Sequence, residues 1–376
     1  GTINSRKFFL SIITGIVLFQ SSTYAANYTN GGSTSANADN FASDFSVSSP
    51  SPMTLGVVTT SSSSQGTIDL GHVISTSTIG SSGLEIKALN ITASTTTFGG
   101  AVFATTTTVS NGATLNTGTN NLTGTLNNQG TTTLGSGAVV SGAITNTGIL
   151  NLHDTATNTI NGAGTINSAQ THTTTAIIGG STAATALNIT ANTFTMGAAV
   201  SATTTTVSSG ATLDTATHDL TGDLSNAGTT TLGTGSDISG TLNNTGTITL
   251  GSSSVVSGAI TNTGTLNLHG TATNTINGAG TINSAQTHTN TAIIGGSTAA
   301  TALNITANTF TLGAAVSATT TTVSSGATLK TGSHILTGAV INNGTLTLGT
   351  SAITSAVSGT GTINVVESYT AGAALS

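Results

Sequence analysis

One short pattern recurs through the chain and constrains its fold more than any other feature. At residues 242–251 it reads LNNTGTITLG: an aliphatic residue, then Asn-x-Gly, then strand-forming residues that end on Leu. Related stretches begin at residues 126, 144, 224, 260 and 341. Consecutive copies lie 18 residues apart, as Leu224, Leu242 and Ile260 do. A fixed period of this length is typical of a solenoid, in which successive repeats stack along one axis.

The side chains of one repeat separate into two faces, because neighbouring residues of a strand point to opposite sides. Leu242, Ile248 and Leu250 share one parity, and we expect them to point inward. Thr247 and Thr249 have the other parity, and we expect them to face solvent. A single coil of this kind cannot bury its apolar face alone, so neighbouring coils must supply the core and the backbone hydrogen bonds.

The sequence therefore predicts an all-β fold, a right-handed parallel β-helix (β-solenoid) with coils of about 18–20 residues. The Asn-x-Gly corners of successive coils should stack at about 4.8 Å, the spacing of paired strands. Stacked Asn side chains can then hydrogen-bond along the axis. We expect these Asn and Gly residues to form the corner because both tolerate positive φ. The predicted corner ladder comprises Asn128, Asn146, Asn226, Asn244, Asn262, Asn342, Gly130, Gly148, Gly228, Gly246, Gly264 and Gly344.

A longer repeat is superimposed on the coil period. The tetrapeptide LNIT at residues 89–92 returns at 187–190 and again at 303–306. These offsets of 98 and 116 residues differ by 18, the length of one coil, so one coil was gained or lost between copies. The segments 164–185 and 280–301 break the short rhythm, and we expect longer coils or loops there.

Three regions follow from composition and pattern. Residues 1–25 resemble a secretory signal peptide, with Arg6 and Lys7 ahead of an apolar run that is short for a membrane span. A membrane anchor is the alternative interpretation of this segment. Residues 26–65 form a low-complexity N-terminal segment with a possible capping strand, and residues 66–376 form the solenoid domain.

Charge and cysteine content exclude several classes of protein. The chain has 4 Lys and Arg residues against 10 Asp and Glu residues, and removal of the signal peptide would leave only Lys87 and Lys330 as strong cations. A chain this acidic has no basic patch for nucleic acid, so we expect no nucleic-acid partner. It has no Cys, which excludes a disulfide framework and thiol chemistry.

Few residues qualify as catalytic candidates. Asp219 and Asp237 lie 18 residues apart and could stack on neighbouring coils, where two carboxylates could bind Ca²⁺ or act as acid and base on a polysaccharide. The matching positions of the first long repeat hold Asn121 and Val139, which favours scattered surface acids. We therefore predict a non-enzymatic protein with no catalytic, cofactor-binding or metal site, and keep a polysaccharide-active enzyme as the alternative.

The histidines do not form a metal-binding motif. His153 and His269 occupy the same position in two copies of the long repeat, as do His172 and His288, which indicates duplication rather than ligand geometry. The adjacent pairs His153-Asp154 and His218-Asp219 are also poor dyads, because neighbouring residues of a strand point to opposite faces.

Outward threonines support a further alternative, an ice-binding surface. Thr229 and Thr231, Thr247 and Thr249, and Thr265 with Asn267 could form a flat array over three coils. Thr is also a favourable residue on any exposed strand, so the array alone does not establish this function.

Coils such as NTGTLNLH at residues 262–269, behind a signal peptide and without Cys, resemble the passenger domains of bacterial autotransporters and related β-solenoid surface adhesins. The resemblance covers residues 66–376 and lies in the repeats alone. It implies Sec-dependent export, a cell-surface or secreted location, and an outer-membrane translocator that is missing from this chain; two-partner secretion is another possible route. It also implies adhesion to a host-cell or matrix receptor, or self-association.

Overall fold

The computed structural model describes residues 53–60, 62–153, 158–269, 271–272, 274–350 and 353–366, with short strands between residues 12 and 48. The predicted signal peptide lies outside the described residues except for the paired strands Ile12–Ile13 and Ile16–Val17. Asp154 and residues 367–376 also lie outside them. All regular secondary structure in the described ranges is β. These ranges contain no helix that is long and apolar enough to cross a membrane.

The predicted fold class is confirmed, since the chain forms an all-β parallel β-solenoid of about 17 turns. The coils vary in length more than their sequence period indicates. Hydrogen-bonded side chains on neighbouring coils are separated by 16 residues at Asn151 and Asn167, and by 18 at Asn244 and Asn262. The loops between strands therefore absorb insertions and deletions while the strand stack is kept.

The chain divides into two compact units, Gly1–Thr185 and Ala186–Ser376. In the first unit, two parallel sheets contain most strands. Sheet 1 contains Ser35–Ala36, Met53–Leu55, Val73–Thr76, Thr95–Phe98, Thr114–Asn116, Thr131–Leu134, Ile149–Leu152 and Thr165–Ser168. Sheet 2 contains Asn27–Thr29, Ser46–Ser48, Thr67–Leu70, Ile86–Ile91, Val102–Val109, Leu122–Asn128, Ile144–Asn146 and Ile160–Asn161. The remaining strands are Asp39–Phe41, Val58–Thr60 and His172–Thr174, and Ala184–Ile189 spans the division between units.

Three parallel sheets build the second unit. Sheet 3 contains Val200–Val207, Leu220–Asn226, Leu242–Asn244, Ile260–Asn262 and Ile276–Asn277. Sheet 4 contains Thr193–Met196, Thr212–Asp214, Thr229–Thr231, Thr247–Thr249, Thr265–Leu268, Thr281–Ser284, Ala300–Ile305, Val316–Val323, Leu336–Asn342 and Val357–Ser358. Sheet 5 contains His288–Asn290, Thr309–Leu312, Thr328–Lys330, Thr345–Leu348 and Thr362–Val365, and Val255–Val256 pairs with Thr271–Ala272.

The core follows the parity expected from the sequence. Leu242, Ile248 and Leu250 are buried, whereas Thr247 and Thr249 are only partly so. Leu242 pairs in register with Ile260 on the next coil, so aliphatic side chains stack on like side chains along the axis. This continuous apolar column supplies the burial that no single coil could provide.

The segment 280–301, expected to be a long coil or loop, contains regular strands. Thr281–Ser284 pairs with Ala300–Ile305, and His288–Asn290 pairs with Thr309–Leu312. Of the two expected alternatives, a longer coil or a loop, the structure therefore shows the longer coil for much of this segment. Its short rhythm breaks because the coil that joins Asn283 to Asn304 has 21 residues.

The long repeats do not keep one position around the solenoid axis. The sequence VSATTTTV forms Val200–Val207 in sheet 3 and, unchanged, Val316–Val323 in sheet 4. Both strands have the same alternation of buried and exposed residues. Identical segments of the second unit therefore fold identically but lie on different sheets.

Candidate functional site

The corner asparagines form buried ladders inside the solenoid wall. Asn226 Nδ2 donates to Asn244 Oδ1 at 2.8 Å, and Asn244 Nδ2 donates to Asn262 Oδ1 at 2.7 Å. In the first unit, Asn128 Nδ2 donates to Asn146 Oδ1 at 2.7 Å. These side chains are at most 1% exposed. Each ladder thus satisfies buried polar groups with other members of the same stack.

The ladders end where the next coil replaces Asn with Gly. Asn262 Nδ2 donates to the Thr281 carbonyl at 3.1 Å, and the next corner holds Gly278. Gly278 has a φ of +112°, and a Cβ there would lie 2.8 Å from the Asn262 carbonyl carbon. The last predicted corner residue, Asn342, likewise donates to a carbonyl, that of Thr362, at 3.0 Å.

The corner glycines are required for a different reason from the one expected. Gly130, Gly148, Gly228, Gly246, Gly264 and Gly344 are absent from the positive-φ residues of the described chain. A Cβ at Gly246 would instead collide with the carbonyl oxygen of Gly228 and lie 2.7 Å from the Ala227 carbonyl carbon. Close approach of backbones, rather than left-handed conformation, therefore selects glycine at these corners.

The acidic candidates Asp219 and Asp237 occupy neighbouring coils, and each carboxylate accepts a backbone N–H from the coil that follows. Asp219 Oδ1 accepts from Asp237 N at 3.0 Å, and Asp237 Oδ1 accepts from Val255 N at 2.8 Å. Asp223 does the same with Thr241 N at 2.8 Å, and this bond lowers the pKa of its carboxyl group. These contacts give the three carboxylates a structural role between coils.

We expect Asp219→Asn to leave stability almost unchanged, because an amide oxygen can accept the same bond. The first repeat already shows this exchange, since Asn121 Oδ1 accepts from Val139 N at 3.0 Å. Asp219→Ala removes the acceptor and should cost about 1 kcal/mol. Urea unfolding of both variants measures the difference. An Asp219→Asn loss as large as that of Asp219→Ala would show that the charge itself matters.

The histidine candidates differ in how deeply they are buried. His153 is partly buried and His269 is exposed, whereas His172 and His288 are only 3% and 7% exposed. His218 and Asp219 follow each other in sequence, and the described contacts of Asp219 go to the backbone of Asp237. Among the described residues, no group of three or more His, Asp or Glu side chains could hold a metal ion.

Burial lowers the pKa of His288, and the nearby His269 lowers it further. The His288 ring lies 5.4 Å from the ring of Phe310, and its Nε2 has no hydrogen-bond partner among the described residues. The neutral imidazole is therefore the form that fits this site.

Acidification should destabilise the fold through His288. Its unfolded pKa is about 6.5, and the folded pKa is lower, so the unfolded state binds the extra proton first as pH falls below 6.5. The neutral form therefore contributes stability at pH 7.5 that is lost progressively towards pH 5. His288→Leu should reduce the pH dependence of the free energy of unfolding over this range by up to one proton. An unchanged dependence, measured by urea unfolding at each pH, would contradict this assignment.

A second asparagine ladder, which the sequence analysis missed, runs along the outside of sheet 4. We call Thr249, Asn267, Asn283 and Asn304 the outer ladder. Asn267 Nδ2 donates to Thr249 Oγ1 at 3.1 Å, Asn283 Nδ2 to Asn267 Oδ1 at 2.9 Å, and Asn304 Nδ2 to Asn283 Oδ1 at 3.0 Å. These side chains are partly exposed. The recurrence of Asn at the outward parity of NLH and INS was the available signal.

A groove of about 390 Å³ lies beside the outer ladder. Its walls come from the ends of strands Thr247–Thr249, Thr265–Leu268 and Thr281–Ser284, from the residues that follow the last two of these strands, and from Thr306, which follows Ala300–Ile305. The lining residues are Thr249, Asn267, Leu268, His269, Asn283, Ala285, Gln286 and Thr306. None of them is an acid, Lys or Arg, so the groove offers neutral hydrogen-bonding groups together with one imidazole.

The threonine array is registered, but it is only one column wide. A column of six threonines pairs in register on six successive strands of sheet 4: Thr193, Thr212, Thr229, Thr247, Thr265 and Thr281. The neighbouring outward column reads Asp214, Thr231, Thr249, Asn267 and Asn283. In the first unit, the same slots pair Thr131 with Ile149 and Thr133 with Asn151, which interrupts the array as the sequence indicates.

Comparisons of the chain with protein families, with curated proteins and with solved structures found no match.

Proposed function

We propose that this chain is a non-enzymatic exported surface protein, similar to an autotransporter passenger, that serves in adhesion or self-association as a β-helical stalk. The observation that carries the proposal is the use of its polar groups. The corner asparagines hydrogen-bond one another in buried ladders. The carboxylates of Asp219, Asp223 and Asp237 accept hydrogen bonds from the backbone of neighbouring coils. Such an arrangement stabilises the stack of coils and leaves the outward side chains available for binding.

The few charges on the outward face of sheet 4 also favour a contact function. Sheet 4 presents threonine and asparagine side chains in register, including the outer ladder. Ordered neutral side chains lose little conformational freedom when a partner binds, which reduces the entropic cost of association.

Adhesion is tested with purified residues 26–376. Beads coated with the folded chain should adhere to cultured cells or to matrix-coated surfaces more than beads coated with the urea-unfolded chain. Sedimentation velocity on the same sample measures self-association. A folded chain that neither adheres nor self-associates would contradict the proposal.

Export is tested separately with residues 1–25. Fused to a phosphatase that is active only in the periplasm, this segment should confer activity on bacterial cells, and Arg6→Glu together with Lys7→Glu should reduce it, because the charged start of a signal peptide is then reversed. A fusion without activity would remove the export part of the proposal.

Ice binding is the second candidate, and the six-threonine column of sheet 4 is the observation that favours it. Thermal hysteresis of the folded chain measures this activity. A reading equal to that of an unrelated protein at the same concentration would exclude it.

A further inference from the structure

The groove beside the outer ladder has the size of a small-ligand site and a mostly polar lining. Its volume of about 390 Å³ lies within the range of about 300–1,000 Å³ that is usual for ligand pockets. Among its lining residues Leu268 is buried, whereas His269 and Gln286, which we call the rim, are exposed. The groove therefore combines a buried apolar residue with polar side chains that are open to solvent.

The outer ladder leaves a regular set of hydrogen-bonding groups unused. A primary amide has two N–H donors and a carbonyl oxygen with two lone pairs. Asn267 uses one N–H on Thr249 and one lone pair on Asn283, and Asn283 uses one N–H on Asn267 and one lone pair on Asn304. Each of these two amides thus retains one donor and one acceptor, held in a fixed orientation by its neighbours.

A hydroxyl group is the chemical complement of such a rung, because it also donates one hydrogen bond and accepts others. Successive rungs repeat along the axis at the strand spacing of about 4.8 Å, so a ligand with hydroxyls at regular intervals could engage several of them. The lining has no acid, Lys or Arg to select an ion. These features together favour a neutral polyhydroxylated chain over a charged ligand.

We propose that this groove binds a neutral glycan segment laid along the outer ladder, with Asn267 and Asn283 hydrogen-bonding sugar hydroxyls and His269 and Gln286 contacting the ligand at the rim. The inference rests on the proposed adhesive function and names the ligand class of that function. The lining has no Phe, Tyr or Trp ring on which a sugar could stack, so the groove binds weakly and avidity has to come from several contacts.

The chain carries the same lining residue types a second time. In the first unit, Thr133, Asn151 and Asn167 pair in register, with Asn151 Nδ2 donating to Thr133 Oγ1 at 3.1 Å and Asn167 Nδ2 donating to Asn151 Oδ1 at 2.9 Å. His153 and Gln170 follow these strands at the positions that match His269 and Gln286. A variant intended to remove glycan binding must therefore alter both ladders.

The test is saturation-transfer NMR and calorimetry of the folded chain with neutral hexasaccharides of glucose, xylose, mannose and N-acetylglucosamine. We expect at least one of them to bind, and the quadruple variant Asn151→Ala, Asn167→Ala, Asn267→Ala, Asn283→Ala to weaken binding at least tenfold. The matched control is Asn243→Ala, an exposed asparagine of sheet 3, which should bind within twofold of the wild type.

A second variant keeps the test valid if the quadruple variant does not fold. Gln286→Ala and His269→Ala, combined with Gln170→Ala and His153→Ala, alter the groove rim and the matching residues of the first unit and leave both ladders intact; we expect at least a threefold loss. Absence of binding by the wild type, or unchanged binding by folded ladder and rim variants, would overturn the inference. If the wild type adheres to cells but binds no glycan, the inference fails while the adhesive function stands; if it does neither, both fail.

Discussion

Gly246→Ala should destabilise the solenoid by about 2–3 kcal/mol, the upper part of the range of about 1–3 kcal/mol for forcing an extra carbon into a packed site. The new Cβ would collide with the Gly228 carbonyl oxygen and lie 2.7 Å from the carbonyl carbon of Ala227. Both atoms belong to the backbone of the preceding coil, so no side-chain rotation can relieve the contact. Thr247 N donates to that same Gly228 oxygen at 2.8 Å, so moving the coils apart also weakens a stacking hydrogen bond.

Gly180→Ala is the matched control for this prediction. A Cβ at Gly180 would meet only side-chain atoms, the nearest being the Ile177 Cγ2 at 3.3 Å, and the residue is exposed. Its effect should stay within about 0.5 kcal/mol. Urea unfolding followed by circular dichroism compares the two variants. Equal midpoints would show that the corners can spread without cost.

Asn244→Asp should cost about 3–5 kcal/mol at pH 7, because it places an uncompensated charge in a buried stack. Asn244 is fully buried, and its Nδ2 donates to Asn262 Oδ1 at 2.7 Å and to the Thr265 carbonyl at 2.9 Å. The same Nδ2 also lies 3.2 Å from the Gly246 carbonyl oxygen. A carboxylate can donate none of these bonds and would face the Asn262 oxygen. Only the hydrogen bond that Asn226 Nδ2 donates to this side chain, which is 2.8 Å long in the wild type, would be kept.

The defect of Asn244→Asp should shrink in acid, because a protonated carboxyl can donate one hydrogen bond and burial raises the pKa of such a group. Urea unfolding at pH 7 and pH 5, each compared with the wild type at the same pH, separates this effect from the titration of His288. The control Asn243→Asp changes the exposed neighbour and should have little effect. A wild-type midpoint for Asn244→Asp at pH 7 would contradict the structural importance of the ladder.

Much of the fold could be predicted because the strand pattern is local. The parity of Leu242, Ile248 and Leu250 determines which side chains are buried, and the 18-residue spacing aligns Leu242 with Ile260. Both features depend only on the alternation of a strand and on the repetition of the sequence.

The close backbone contacts between coils could not be predicted from the sequence. The motif Asn-x-Gly indicates a turn, but it does not distinguish a glycine required for positive φ from one required for space. Gly222 illustrates both demands: its φ is +108°, and a Cβ there would collide with the Ala202 carbonyl. It lies opposite a register shift between Ser201 and Thr204, an irregularity that no repeat count reveals.

The outer ladder was also missed, because its members are brought together by coils of unequal length. Asn267 and Asn283 are separated by 16 residues, and Asn283 and Asn304 by 21. A search at a fixed 18-residue period passes over both pairs. Their alignment depends on where each loop turns, which is a property of the assembled stack.

The transfer of VSATTTTV from sheet 3 to sheet 4 has a consequence for how the second unit meets its surroundings. If both copies lay on the same sheet, duplication would only have extended one surface along the axis. Because the two copies of VSATTTTV lie on different sheets, the duplication displays the same outward side chains in two directions around the axis. A partner that recognises these side chains would therefore find them on two sides of the second unit.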